Sequence, residues 1–230
     1  MSDLYRFVSM GFTHQVKQLL DEGHDPNVPV QVKVGRKIEI QLPIEPACSQ
    51  SDSEIFIALI KAGAVILPDP QRRNRMLERA AMVGNIPLLN ILHSRGLTAE
   101  LKNAKQGGNA PLVGAITQGK KEAAVWLLDH GADPNGKMKA GKYKVTPLDS
   151  VLSSGKMYLH DKKVLVQLLV DRGATPAFQD IPWKYELDHR GQLLAHIRKE
   201  QLMTIAHASR PNDLASPEEA QARRGRGRFM

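Results

Sequence analysis

The sequence is short of cysteine, aromatic residues and long apolar runs, and each shortage excludes a class of protein. Cys48 is the single cysteine among 230 residues, which rules out an internal disulfide framework and fits a reducing compartment. Only 5% of residues are aromatic, so we expect a core of aliphatic side chains, which suits stacked helices. The longest apolar runs, at 55–60 and 123–128, are far shorter than the roughly 20 residues of a membrane span.

Motifs for catalysis and metal binding are also missing. The glycine-containing segments 108–114 and 136–144 lack the strand-to-helix setting of a phosphate-binding loop. His189 and His196 could share a helical face, but no acidic or cysteine ligand accompanies them at metal-binding spacing. Cys48 is interpreted as a core residue. We therefore predict no catalytic residues, no metal site and no cofactor.

The first twelve residues carry charges at Asp3 and Arg6 and no long apolar run. This pattern is not that of a secretory signal. We expect a cytoplasmic protein with no membrane partner.

The most prominent feature of the sequence is a recurring motif: LLDEGHDPNV at 19–28 recurs as LLDHGADPNG at 127–136. Related phrases close at five glycines, which are Gly23, Gly63, Gly96, Gly131 and Gly173. These glycines are 40, 33, 35 and 42 residues apart. A leucine stands four residues before each one, at Leu19, Leu59, Leu92, Leu127 and Leu169. Such self-similarity indicates a repeat protein of five units.

Each unit is predicted to be a pair of helices. In the fourth unit the first helix begins at Ala110, with Pro111 in its first turn, where a missing N–H costs little. Gly119 ends that helix, because glycine accepts the left-handed backbone of a C-terminal cap. The second helix covers about 121–130, and Gly131 ends it.

The opener TPL at 146–148, the mid-unit glycine and the closing phrase GADPN resemble the ankyrin repeat. The resemblance covers residues 2–176 and implies an all-α solenoid of stacked helical hairpins with projecting loops. The family places a histidine after TPL, so hydrogen bonds at the loop bases are expected to differ here. The five corresponding positions hold Tyr5, Glu45, Glu78, Val113 and Asp149.

Three regions follow from this interpretation: an ankyrin-like array at 1–176, a capping segment at 177–207 and a disordered basic tail at 208–230. The tail contains RRGRGR at 223–228, which resembles an RNA-binding arginine–glycine stretch. As one short copy it is interpreted as a solvated tail.

Residues 28–42 form an insertion between the first two units. Val30 and Val34 belong to one run of alternating apolar and polar residues, and Ile38 and Ile40 belong to a second. With VGRK between the runs, the pattern predicts a β-hairpin. Two interpretations stay open: an elongated loop with a self-contained ribbon, or a projecting contact element.

Positive charge is concentrated in the segments that connect the units. Segments 28–41, 66–75, 97–109 and 136–145 hold twelve lysines and arginines and three acids, a net +9 against +8 for the whole chain. A surface of one sign steers an acidic partner toward it. The alternative is that the lysines only keep the loops soluble.

The resemblance places a binding groove between these connecting segments and the ends of the first helices. An apolar centre with a charged rim suits a protein interface, and Tyr143 is a candidate anchor. The predicted partner-binding residues are Arg36, Lys37, Arg72, Arg73, Met82, Val83, Gln118, Lys139, Lys142, Tyr143 and Lys144.

The resemblance implies a non-catalytic module that grips an acidic protein on its basic concave face. A finer hypothesis is an immunity-type inhibitor that occludes a cognate toxin or effector. The alternative from another class is a nucleic-acid-binding or general scaffold protein that uses the basic connecting segments and the arginine-rich tail, with an affinity that falls steeply with salt.

Overall fold

The computed structural model describes residues 2–102, 110–136, 138–140 and 143–174. Lys142, the predicted capping segment and the predicted tail lie outside these residues. The helices of the first three units are α1 Asp3–Met10, α2 Thr13–Asp21, α3 Ile44–Ala47, α4 Glu54–Lys61, α5 Pro70–Val83 and α6 Ile86–Ser94, followed by a 3-10 helix at Leu97–Lys102. Those of the last two units are α7 Ala110–Thr117, α8 Lys121–Asp129, α9 Pro147–Ser153 and α10 Leu159–Asp171. The strands are β1 Val30–Val34, β2 Lys37–Gln41, β3 Met138–Ala140 and β4 Tyr143–Val145.

The five helical pairs stack in two rows. In the first-helix row α1 packs on α3, α5 on α7 and α7 on α9; in the second-helix row α2 packs on α4, α6 on α8 and α8 on α10. The core lies between the rows and includes Leu4, Phe56, Leu77, Leu112 and Leu165. A single short pair cannot bury its apolar face, so neighbouring units complete one continuous core. None of the described helices is long and apolar enough to cross a membrane.

The closing glycines end the second helices as predicted. All five have a positive φ, between 75° and 92°, a region that costs glycine nothing and other residues a steric penalty. In four units the backbone amide of the residue that follows the glycine donates a hydrogen bond to the carbonyl of the leucine four positions before the glycine. Examples are the bonds from His24 to Leu19 and from Ala132 to Leu127, both 3.0 Å long. These bonds satisfy helix-end carbonyls that lack partners within the helix.

The recurring DPN triplet both turns the chain and links neighbouring units. Asp25 Oδ1 accepts from the Asn27 amide at 2.8 Å, which forms the turn. The Asn27 side chain then donates to the Gly63 carbonyl of the next unit at 3.0 Å and accepts from the Val65 amide at 2.8 Å. Asn135 makes the corresponding bond to the Gly173 carbonyl at 2.7 Å. The phrase therefore recurs because it connects each of these units to its successor.

The prediction that 66–75 is a connecting loop is wrong. α5 begins at Pro70, and its N-cap Asp69 accepts from the Gln71 amide at 3.0 Å. The segment was predicted to be a connection because it lies between the second and third units, but an aspartate followed by proline is itself a helix-start signal. Arg72, Arg73 and Arg75 therefore lie on a helix instead of projecting from a loop. Arg72 contacts Glu45 of α3, and Arg75 contacts Glu39 of β2.

Two antiparallel ribbons lie between units. The predicted hairpin is confirmed as the first ribbon, β1–β2, whose register runs from Val30 opposite Gln41 to Val34 opposite Lys37. Gly35 in its two-residue turn has a φ of 62°. The second ribbon, β3–β4, was not predicted, because three-residue strands are too short to show a period of two.

Candidate functional site

The register of the first ribbon separates its side chains onto two faces. Val30 and Gln41 lie on the inner face and are buried, and the Tyr5 hydroxyl of α1 donates to Gln41 Oε1 at 2.8 Å. Ile38 and Ile40 lie on the opposite face and are 72% and 54% exposed. One face thus fixes the ribbon to the array, and the other presents two isoleucines to solvent.

The free charges of this ribbon are all positive. Lys33, Arg36 and Lys37 are exposed, and none of them forms an ion pair within the described part of the chain. The one acid, Glu39, pairs with Arg75 of α5 at 3.3 Å. The fold therefore brings the predicted residues Arg36 and Lys37 beside exposed apolar side chains.

The arginines of α5 are placed differently. Arg72 Nη1 lies 2.9 Å from Glu45 Oε1, and these side chains are only 23% and 5% exposed. Arg72 also lies 3.7 Å from Asp69. Arg73 is half-buried, and its Nε has no hydrogen-bond partner in the described structure. The positive charge of Arg72 is used within the fold, which reduces the basic surface expected from the sequence.

The helix-end residues Met82 and Gln118 also have contacts within the array. Met82 packs over Gly114 of α7, where an added Cβ would lie 3.0 Å from Met82 Cγ. Gln118 accepts a hydrogen bond from the Lys156 side chain of the following unit. Val83 ends α5 beside them and is half-buried. Met82 and Val83 end α5 and Gln118 follows α7, and Met82 and Gln118 help to hold neighbouring units together.

The second ribbon contains three more of the predicted residues, Lys139, Tyr143 and Lys144. Its register sets Lys139 opposite Lys144 and Ala140 opposite Tyr143. It connects α8 to α9, as the first ribbon connects α2 to α3. Both ribbons therefore occupy the same place in their repeat units, between a second helix and the following first helix.

A comparison with solved structures decides the fold. The chain matches the crystal structure of the ankyrin repeat domain of Bcl-3, described as a unique member of the IkappaB protein family, with a TM-score of 0.52 and 23% identity over 77% of this chain and 72% of that one. The chain has an ankyrin-repeat fold. No family model matches the chain, and no curated protein matches it by sequence.

At the ankyrin histidine positions, acids take over part of the hydrogen bonding. Asp149 Oδ2 accepts from the Thr146 amide at 2.9 Å and from the Thr146 hydroxyl at 2.7 Å. Glu45 Oε1 accepts from the Leu42 amide at 3.1 Å. Acids at these two positions therefore accept hydrogen bonds at the loop bases, and in the second unit the acid is also the buried partner of Arg72.

Burial raises the pKa of two titratable groups in the array, Cys48 and Glu78. Cys48 is fully buried as predicted, and burial raises the pKa of its thiol, which disfavours the reactive thiolate. Burial also raises the pKa of Glu78, while Arg79 and Arg75 lower it. Across the described ranges, no group of three or more His, Cys, Asp or Glu side chains is arranged to hold a metal ion.

Ile38 and Ile40 were missed as candidate contact residues, although the sequence contained a signal for them. A two-residue turn at Gly35 and Arg36 sets Val34 opposite Lys37, so every later pair follows by counting. Counting places the valines and the isoleucines on opposite faces. Only one of these apolar sets could pack against the array, and the other had to be exposed.

Proposed function

We propose that this ankyrin array is a non-catalytic protein-binding module that grips an acidic protein partner, with the first ribbon as its principal contact. The observation that carries the proposal is the exposed end of this ribbon, where Ile38 and Ile40 lie on the outer face with Lys33, while Arg36 lies in the turn and Lys37 on the other face. An apolar centre within a charged rim is the usual anatomy of a protein interface. Ankyrin arrays resembling this one act mainly through protein contacts.

The two isoleucines supply affinity and the cations supply steering. Burying an isoleucine side chain stabilises a complex by about 1.5–3 kcal/mol. Exposed strand residues of this kind are also a liability for aggregation unless charge or a partner covers them. The cations raise the rate of encounter with an acidic surface. A partner with carboxylates around an apolar pocket fits both features.

Other predicted residues extend this surface. Lys139, Lys142, Tyr143 and Lys144 of the second ribbon segment are proposed as a second basic contact. Arg73, Met82, Val83 and Gln118 are proposed to form the floor between the ribbons, whereas Arg72 supports the fold through Glu45. The finer form of the proposal is an immunity-type inhibitor that occludes a cognate toxin or effector, since a long ribbon insertion suits one dedicated partner.

The test is capture of the partner from the native source with the full chain, followed by affinity measurements on matched variants. Lys37→Glu reverses a ribbon charge, and Lys163→Glu reverses an exposed lysine of α10. We expect Lys37→Glu and Ile38→Ser each to weaken binding at least tenfold, about 1.4 kcal/mol, and Lys163→Glu to leave it unchanged. Equal effects of the two charge reversals would exclude the ribbon as the contact surface.

Salt dependence separates the two partner classes. A protein complex with apolar anchors should keep most of its affinity at moderate salt. A nucleic-acid complex loses about a thousandfold or more between low and physiological salt. Capture of nucleic acid with that steep dependence would replace the proposal with the nucleic-acid alternative.

A further inference from the structure

A groove of about 580 Å³ lies between α4 and α6 in the second-helix row. Four apolar residues form its floor and two cations form its rim; they are Phe56, Ile57, Ile60, Ile91, Lys61 and Arg95. The first ribbon contacts the first-helix row, through Gln41 to Tyr5 and Glu39 to Arg75. The groove and the ribbon are therefore different surfaces of the array.

The floor of the groove is apolar because α4 carries apolar side chains around most of its circumference. Phe56 and Leu59 point into the core and are fully buried, whereas Ile57 remains 37% exposed and Ile60 half-buried. α2 packs closely against α4, but α6 approaches α4 less closely, which leaves this side open. A helix that is apolar on nearly all sides is normally covered on all sides. The array itself does not cover this one.

The charged residues at the rim of the groove indicate what kind of partner covers it. Lys61 and Arg95 are exposed and form no ion pair within the described residues, and no acid lines the groove. The neighbouring groove between α2 and α4 shares Ile57 and Lys61 with this one but is also lined by two acids, Asp21 and Glu54. There Glu54 pairs with Lys17 at 2.8 Å. The α4–α6 groove thus combines an apolar floor with two cations that lack a counter-charge.

We propose that the α4–α6 groove binds an acidic amphipathic helix of a partner protein. Apolar side chains three and four positions apart on that helix would pack on Ile57, Ile60 and Ile91. Carboxylates beside the apolar stripe would pair with Lys61 and Arg95. This site acts in addition to the ribbon and does not depend on it, so the array would hold two acidic segments at once.

The test uses a labelled synthetic peptide of about 15 residues, four helical turns, with leucines at helical spacing and glutamates flanking the stripe. A peptide of the same composition with scrambled leucines is the control. Fluorescence anisotropy with the full chain should show at least tenfold tighter binding of the amphipathic peptide. Methyl NMR spectra should show shifts at Ile57, Ile60 and Ile91. Absence of binding, or shifts elsewhere only, would overturn the proposal.

Paired variants locate the site. Lys61→Glu/Arg95→Glu should weaken peptide binding at least tenfold, while Lys163→Glu on α10 should leave it unchanged. Arg36→Glu/Lys37→Glu makes the same change in net charge as the groove variant and measures any peptide that the ribbon holds. These five side chains are exposed, and thermal unfolding of the variants checks the fold. If the ribbon variant alone loses the peptide, the groove proposal fails while the ribbon proposal stands. If laurate shifts the groove methyls and the peptide does not, the site binds small amphiphiles and the proposal is also wrong.

Discussion

The first ribbon and the first two turns of α5 carry equal positive charge but use it in different ways. Each has three basic residues, which are Lys33, Arg36 and Lys37 on the ribbon and Arg72, Arg73 and Arg75 on α5. The ribbon cations are exposed and unpaired in the described structure. On α5, Arg72 pairs with Glu45 and Arg75 pairs with Glu39. Formal charge is therefore a poor measure of the charge available to a partner.

Burial explains why the two regions differ. The Glu45 carboxylate is almost fully buried and needs a counter-charge, because an unpaired charge is costly in a low-dielectric interior. Arg72 supplies that counter-charge. Water solvates the ribbon cations, so their removal leaves nothing uncompensated. Substitution of Arg72 should change stability, and substitutions of the ribbon cations should change binding.

The largest expected effect is that of Arg72→Met. Loss of the guanidinium leaves the Glu45 carboxylate buried without its partner, so the free energy of unfolding should fall by about 3 kcal/mol. Denaturant unfolding measures this change. The control is Arg73→Met, which removes a half-buried arginine with an unpartnered Nε and should change stability by less than about 0.5 kcal/mol. Equal losses would remove the distinction between the two arginines.

A smaller effect is expected from Glu78→Gln, and it depends on pH. Burial raises the pKa of Glu78, so the folded chain keeps this proton to higher pH than the unfolded chain does. The free energy of unfolding of the wild type therefore falls as pH rises. The fall begins at about pH 4, where an ordinary glutamate ionises, and ends above the raised pKa of Glu78. Glutamine does not ionise, so the variant should gain stability over wild type between pH 4 and pH 7. A relative loss in that interval would mean that Arg75 and Arg79 outweigh burial.

The smallest effect on stability is expected from Arg36→Ser/Lys37→Ser. Both side chains are exposed and unpaired in the part of the chain that the structure describes, so unfolding should change by less than about 0.5 kcal/mol. Thermal and denaturant unfolding measure this value. A loss above about 1 kcal/mol would show that the ribbon charges, like Arg72, have partners within the fold.

Local patterns predicted much of the fold. The helix start at Ala110, the closing glycines and the turn at Gly35 each follow from one residue's backbone preference. The start of α5 was missed because alignment with other units outweighed the Asp69–Pro70 signal. The second ribbon was missed because its strands are too short to show alternation.

The candidate site was harder to predict than the fold. Arg36 and Lys37 were chosen by charge, and both side chains are exposed. Charge also selected Arg72, whose partner Glu45 lies 27 residues earlier. An ion pair between residues so far apart in the sequence depends on how the second and third units pack. No local sequence pattern can predict it.

The sequence by itself determined where the helices end and how often the unit repeats, because cap and turn preferences act within a few residues. Tertiary structure alone decided which apolar and charged residues remain available to a partner. Ile38 and Ile57 are exposed, and Arg72 is neutralised, because of the elements that do or do not pack beside them. Whether a side chain is available to a partner depends on the residues that lie beside it in the fold, and these residues come from distant parts of the chain.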